Sequence, residues 1–192
     1  MTNQEKLKDL MLYETMNGNA GEQISRKEYI NAMPPEQEHI YYIIAESRQL
    51  ALASPALEIF KSKGFDVLLM TDPVDEFLMQ NMMQYDKKYF KSANKGELEI
   101  EKDPEAEEKA LEESTKKYQK LMDYIFDKLQ DKLSAVRLTR RLTDSACCLV
   151  GESNSISPQL ERMLKAMNQA PPESKRVLEL NPNHPVVEVM QN

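Results

Sequence analysis

Two apolar runs, residues 39–45 (HIYYIIA) and residues 65–70 (FDVLLM), decide the fold class of this chain. The first is a β-branched and aromatic run of strand length, and the second lacks polar alternation, as expected for a strand covered on both faces. Between them, Ser54 and Pro55 suit the N-cap and first position of a helix, and Gly64 suits its C-terminal cap. The pattern predicts a parallel strand–helix–strand unit.

The alternation continues further along the chain. A helix is predicted over residues 73–85, followed by a third strand at residues 89–93. The pattern therefore predicts a small parallel βαβ sheet with flanking helices. One apolar face of the 73–85 helix is expected to pack on this sheet through Val74, Leu78, Met82 and Tyr85.

Helices are predicted before this sheet as well. Residues 4–15 have apolar positions at helical spacing, and Ser25 with Glu28 fits a capping box that opens a second, short helix. That helix is expected to end before Pro34.

An acidic stretch over residues 97–113 separates the two halves of the chain. It contains nine acidic residues and two lysines, so it alone accounts for the net charge of −7. We interpret it as a solvated connection that runs into a helix, which is clearest at residues 118–133.

The second half mixes helices and strands. Strands are predicted at residues 136–142, 146–150 and 177–180, a helix begins near Ser157-Pro158, and a short helical piece ends the chain. The overall fold class is therefore α/β followed by α+β, with a mixed helix–strand C-terminal domain.

Composition argues against several function classes. No apolar run approaches the ~20 residues that cross a bilayer, and the N-terminus lacks a signal-peptide pattern, so we expect a soluble, cytoplasmic protein without a membrane partner. Cys147 and Cys148 are adjacent and are interpreted as small buried residues rather than a disulfide or a metal site. The only basic cluster, Arg137 with Arg140 and Arg141, is too small for a nucleic-acid footprint.

One constellation permits an enzymatic interpretation. Asp72, Asp75 and Glu76 follow the second predicted strand, at the sheet edge where open α/β sheets bind ligands. Three carboxylates there suit a metal or acid–base chemistry. The alternative is that Asp72 caps the next helix while Asp75 and Glu76 favour its dipole. No glycine-rich phosphate loop occurs.

Two apolar features permit a binding interpretation. Phe77 lies on the polar flank of its predicted helix, so it is either exposed or packed on a neighbouring element. A stripe at helical spacing, either core or a partner surface, follows in the second half: Leu160, Met163, Leu164 and Met167.

Four strings in order carry a resemblance that covers nearly the whole chain. They are HIYYI at 39–43, LMTDPVDEF at 69–77, QLERMLKA at 159–166 and LELNPNHP at 178–185. Together they resemble the ninety-kilodalton heat-shock chaperone family, most closely its bacterial branch. An enzyme using the three carboxylates and an unrelated interaction adaptor are the alternatives.

The resemblance implies a division and a function. Residues 1–37 would be the helical connector of the family's middle segment, 38–108 its small α/β part, and 109–192 the start of the C-terminal domain. The nucleotide-binding domain and the terminal dimerisation helices would lie outside this chain.

The resemblance therefore implies a client-binding module that is not itself an enzyme and has no cofactor. ATP, Mg²⁺ and homodimerisation would belong to the full-length parent, and this chain would be monomeric.

The resemblance also implies client-binding residues. In the family, non-native proteins contact a middle-segment helix and an amphipathic C-terminal segment, and we expect exposed apolar patches there. The matching positions are Glu76, Phe77, Gln80, Ile156, Leu160 and Met163. Bacterial relatives often have Trp at the position of Phe77 and Met at those of Ile156 and Leu160, so this chain keeps the apolar character with less flexible side chains.

Overall fold

The computed structural model describes residues 11–96, 98, 100, 104–153, 155–171 and 175–191, without the side chains of residues 80, 81 and 104–108. The chain forms two compact units, Met1–Ala93 and Asn94–Asn192. Residues 4–10 of the predicted first helix lie outside the described residues, as do several positions of the acidic stretch. The three-part division implied by the resemblance stays a prediction.

The first unit alternates strands and helices. Its elements are β1 (Leu12–Thr15), β2 (Ile24–Ser25), α1 (Arg26–Ala32), β3 (Ile40–Ile44), α2 (Arg48–Leu52), a 3₁₀ turn (Pro55–Leu57), α3 (Glu58–Lys63), β4 (Leu68–Met70), α4 (Pro73–Asn81), β5 (Gln84–Tyr85) and β6 (Lys88–Ser92).

These strands form one six-stranded sheet in the order β2-β1-β4-β3-β6-β5. The predicted parallel centre is present, because β3 pairs in parallel with both β4 and β6. The sheet is mixed, however, since β1 joins β4, β2 joins β1 and β5 joins β6 in antiparallel fashion. The expectation of a helix up to residue 15 was wrong for Leu12–Thr15. In this strand Tyr13 is buried and Leu12 is exposed, which is strand alternation.

Local signals explain where the helices of this unit end. Gly64 adopts a left-handed φ of 67° at the end of α3, as predicted. Helix α4 stops at Asn81, four residues before the predicted end, because Gln84 and Tyr85 pair with β6. The two residues between β5 and β6, Asp86 and Lys87, both have positive φ, which is typical of a tight hairpin turn.

The second unit is a mixed helix–strand structure, as predicted. Its elements are α5 (Pro104–Leu129), β7 (Leu133–Leu138), β8 (Cys147–Gly151), α6 (Pro158–Ala166), β9 (Arg176–Leu180) and α7 (Pro185–Met190). The strand order is β7-β9-β8, with β9 parallel to β7 and antiparallel to β8.

Two boundaries differ from the prediction in this unit. Helix α5 begins at Pro104, inside the acidic stretch, because its Glu, Ala and Lys residues are strong helix formers. Strand β7 begins at Leu133, three residues before the predicted start, and ends at Leu138. Among the helices of the described residues, none has both the length and the apolar character needed to span a bilayer.

Each unit has its own apolar core. In the first, the core cluster is Tyr13, Tyr29, Ile40, Ile44, Leu68 and Met70. In the second, α5 and α7 pack with the sheet through Tyr118, Leu121, Met122, Leu138, Leu180 and Val187.

Candidate functional site

Helix α4 exposes two of its apolar side chains and buries two acidic ones. Val74 is 55% exposed and Phe77 is 43% exposed, whereas Asp75 and Glu76 are buried. Val74, Phe77 and Leu78 are spaced i, i+3, i+4 and share one side of the helix, which we call the apolar face of α4. The prediction that Val74 packs on the sheet was therefore wrong.

The opposite side of α4 is fixed by polar and apolar contacts. The carboxylate of Asp75 accepts the backbone N–H of Asp72 at 3.0 Å, which anchors the first turn. Met79, one turn further on, packs against the core cluster of the first unit. Burial raises the pKa of Asp75, while the nearby cation of Arg26 lowers it.

This arrangement favours the structural interpretation of the three carboxylates. Asp72 is exposed, whereas Asp75 and Glu76 are buried, so the three do not converge on one solvent-facing pocket. Within the described residues, no group of three or more His, Cys, Asp or Glu side chains is placed to hold a metal ion.

The three site residues predicted on α4 have different environments. Phe77 is accessible, as expected of a side chain that contacts a partner. Glu76 is only 5% exposed, which is contrary to the accessibility expected of a client-binding position. Its position on α4, beside Asp75 on the inward side, explains the burial. The side chain of Gln80 lies outside the described residues.

The stripe on α6 changes from buried to exposed along the helix. Leu160 is 6% exposed, so the expectation of an exposed Leu160 was wrong. One and two turns later, Met163 and Met167 are 38% and 56% exposed, and Ile156, before the helix, is half-buried. The first turn is the anchored end, because Ser157 Oγ accepts the backbone N–H of Leu160 at 3.1 Å.

Arg176 of β9 holds the same end of α6 in place. Its guanidinium donates to the carboxylate of Glu161 at 2.8 Å and to the backbone carbonyl of Ile156 at 3.3 Å. Anchoring at the first turn leaves Met163, further along α6, and Met167, directly after it, at the surface.

A buried charge cluster stabilises the sheet that carries this helix. Glu179 is buried on β9, and its carboxylate accepts from Arg137 at 2.7 Å and from Arg141 at 2.8 Å. Both guanidinium groups also donate to the backbone carbonyl of Gly96. Arg137 and Arg141 are thus ion-pair partners of a residue in the same unit.

The prediction that both cysteines are buried was wrong for Cys147, and we expect the two thiols to differ in reactivity. Cys147 is exposed, whereas Cys148 is buried 3.9 Å from a Glu179 oxygen, and burial raises the pKa of the Cys148 thiol to about 12.

A thiol reagent at mildly alkaline pH should modify Cys147 in the folded chain and Cys148 only in urea, because the thiolate is the nucleophile. Peptide mapping of the product would identify Cys147, and modification of both thiols at equal rates would contradict this geometry.

Sequence patterns missed part of this surface. Val74 was assigned to the core because apolar residues at helical spacing normally face it, whereas Leu78, assigned to the same face, is half-buried. The inward orientation of Asp75 and Met79 depends on contacts that form only in the folded unit, so the sequence carries no local signal for it.

Comparison with known proteins identifies the family. A model of the Hsp90 protein family matches residues 1–192, which is the whole chain. The chain belongs to the Hsp90 family. It is 45% identical over 190 residues to the chaperone protein HtpG of Geobacter sulfurreducens, covering 98% of this chain and 29% of that protein. The HtpG proteins of Geobacter metallireducens and Burkholderia lata are 46% and 38% identical, over 99% and 98% of this chain.

The chain matches only a part of each of these Hsp90 relatives. This chain spans about 30% of the length of the curated relatives it matches.

Proposed function

We propose that this chain is the client-binding part of an ATP-dependent Hsp90-type chaperone, which binds unfolded or partly folded proteins in the cytoplasm and assists their folding. The single observation that carries the proposal is the orientation of α4. Val74 and Phe77 face solvent while the neighbouring Asp75 and Glu76 are buried. A helix that exposes apolar side chains and buries carboxylates loses hydrophobic stabilisation, which selection for a binding surface would explain.

The chemistry of the surface suits non-native proteins. Such chains expose apolar side chains, and contiguous apolar surface on a folded protein commonly marks an interaction site. The second unit adds Met163 and Met167, which are flexible and polarisable and therefore accommodate partners of different shape. The binding we propose is weak and tolerant of client sequence.

The remaining steps of the chaperone cycle are assigned to the full-length parent. We propose that ATP and Mg²⁺ binding, hydrolysis and homodimer formation take place outside these residues, and that this chain is a non-enzymatic, monomeric module. The sequence supports this division because its five glycines include no phosphate-cradling motif.

Replacement of Phe77 by Ala is expected to weaken client binding without unfolding the first unit. Phe77 is substantially exposed, so the stability cost should be about 1 kcal/mol or less. Loss of an aromatic contact should weaken binding by about 1 kcal/mol, or roughly fivefold. The measurement is suppression of aggregation of a chemically denatured client, followed by light scattering at increasing concentrations of the chain.

Tyr89→Ala is the matched control for this experiment. Tyr89 is an exposed aromatic residue of β6, in the same unit but outside α4. It should leave the suppression curve unchanged. Equal losses for Phe77→Ala and Tyr89→Ala, or no loss for either, would contradict the proposal.

A further inference from the structure

Three segments of the second unit meet at Gly151, the last residue of β8. A Cβ atom at this position would lie 2.3 Å from Ser155 Oγ, 3.2 Å from Arg176 Nη1 and 3.3 Å from Lys95 Cγ. Separations this short are close to or below van der Waals contact. The three segments can therefore approach one another only because position 151 has no side chain.

The first of these segments opens the second unit and consists of residues 94–96, which we call the entry segment. It forms a parallel β-bridge with the end of β8. Gly96 donates its backbone N–H to the carbonyl of Gly151 at 2.9 Å, and Gly151 donates its own N–H to the carbonyl of Asn94 at 3.0 Å. The carbonyl of Gly96 also accepts from the guanidinium of Arg141 at 2.6 Å. These bonds hold the entry segment against an edge strand of the sheet.

The other two segments lead to α6. Arg176 is paired with Gly151 in the register of β8 and β9. Its guanidinium donates to the carbonyl of Ile156 at 3.3 Å and to the carboxylate of Glu161 at 2.8 Å. Ser155 directly precedes Ile156 in the loop that leads into the helix. The arginine that anchors α6 and the loop before α6 are therefore packed against the same glycine.

These contacts connect the entry segment to α6 without a gap. Lys95 and Arg176 both reach within 3.3 Å of the same point above Gly151. Close-packed groups pass a displacement on to their neighbours, because the space between them is too small to absorb it. A change in the bridge with Gly151 therefore disturbs Arg176, and Arg176 holds the first turn of α6.

We propose that the entry segment controls the position of α6. While residues 94–96 are bridged to Gly151, Arg176 holds the first turn of the helix and Met163 keeps its surface position. When the bridge opens, the first turn loosens. The meaning of this coupling for client binding rests on the proposed function, since Met163 belongs to the surface assigned there. The coupling itself is a property of the second unit and is measured without a client.

Gly96→Ala perturbs the entry segment without changing a residue that contacts α6. Gly96 has a left-handed φ of 64°, and a Cβ atom there would lie 2.7 Å from Ser153 Oγ, so Ala disfavours the observed conformation. We expect the backbone amide hydrogen of Leu160, which is bonded to Ser157 Oγ, to exchange with solvent about fivefold faster or more. Amide hydrogen exchange followed by NMR measures this rate.

Arg176→Met perturbs the opposite end of the same contacts. Met keeps an unbranched side chain but removes the donors to Ile156 and Glu161. The amide hydrogens of Gly96 and Gly151, which form the bridge, should then exchange faster by a similar factor, because coupling between two equilibria is reciprocal. This variant also decides the question if Gly96→Ala does not fold.

Gly64→Ala is the matched control. Gly64 has a similar φ of 67° but lies in the first unit, where no neighbouring segment of the described residues comes within 4 Å of a Cβ atom at that position. It should leave the exchange rate at Leu160 unchanged. The amide of Thr139, bonded to the carbonyl of Leu180 at 2.9 Å, is the internal reference for the overall stability of the second unit.

Two results would overturn the proposal. One is an unchanged exchange rate at the reporting amides in either folded variant, because an equilibrium coupling acts in both directions. The other is an equal acceleration at Thr139, which would show that the whole unit has lost stability. Client binding is followed separately at the Met163 methyl signal of the wild-type chain. Its absence would contradict the proposed function and leave the coupling intact.

Discussion

Glu179→Gln is expected to lower the free energy of unfolding of the second unit by about 3–5 kcal/mol. Glu179 is buried on the central strand β9 and is the anionic partner of Arg137 and Arg141. Removing its charge leaves the fully buried Arg141 without its counter-charge and next to a second cation. Urea unfolding, followed at the methyl signals of Leu138 and Val150, two buried residues of this unit, measures the change.

Glu161→Gln provides the matched control for this substitution. Glu161 also pairs with an arginine of β9, Arg176 at 2.8 Å, but both side chains are partly exposed. Solvent screening limits such a pair to about 1 kcal/mol. Similar losses for Glu179→Gln and Glu161→Gln would show that the buried cluster contributes no more than a surface pair. A Glu179→Gln/Arg141→Met variant should recover part of the loss, because no bare charge remains buried at that position.

Leu160→Ala is expected to cost about 2–5 kcal/mol of stability in the second unit, as for other buried leucines. Leu160 is buried in the first turn of α6, where Ser157 fixes the backbone. Weaker client handling by this variant would therefore reflect loss of structure rather than loss of a contact. The same methyl-resolved urea titration gives the magnitude.

Met163→Ala separates the two effects on the same helix. Met163 is 38% exposed, so its truncation should cost about 1 kcal/mol or less. If Leu160→Ala lowers the free energy of unfolding as little as Met163→Ala does, Leu160 is not a buried core residue. If Met163→Ala unfolds the unit, the methionines of α6 belong to the core and not to a binding surface.

The central strands were predictable because their signals are local. Ile40–Ile44 and Leu68–Met70 are short apolar runs, and Gly64 marks the end of the helix between them. β1 was not predictable from the same kind of signal. The side chains of β1 alternate in burial, but the apolar residues before this strand fit a helical period. Only the pairing of β1 with β4 in the folded unit favours a strand over a helix.

The resemblance indicated where the candidate site lies but not how its side chains are oriented. The polar flank of α4 left Phe77 either exposed or packed, the resemblance implied exposure, and Phe77 is 43% exposed. Val74 and Glu76 were assigned to the wrong sides, because the side of α4 that packs inward is fixed by contacts with residues distant in sequence, such as those of Met79 with the core cluster of the first unit. Leu160 was misassigned for a related reason: the periodicity of α6 locates an apolar stripe, whereas anchoring by Ser157 and Arg176 decides which end of the stripe is covered.

The central claim, that the apolar face of α4 and the methionines of α6 bind non-native proteins, is tested most directly by methyl NMR. The chain is titrated with a reduced and alkylated protein that cannot fold. If these side chains bind non-native proteins, we expect signal changes at the methyl groups of Val74, Leu78, Met163 and Met167. The equally exposed Leu50 and Leu149 should remain unchanged. Changes at Leu50 and Leu149 as large as those at Val74, or no change at Val74 and Leu78 at saturation, would contradict it.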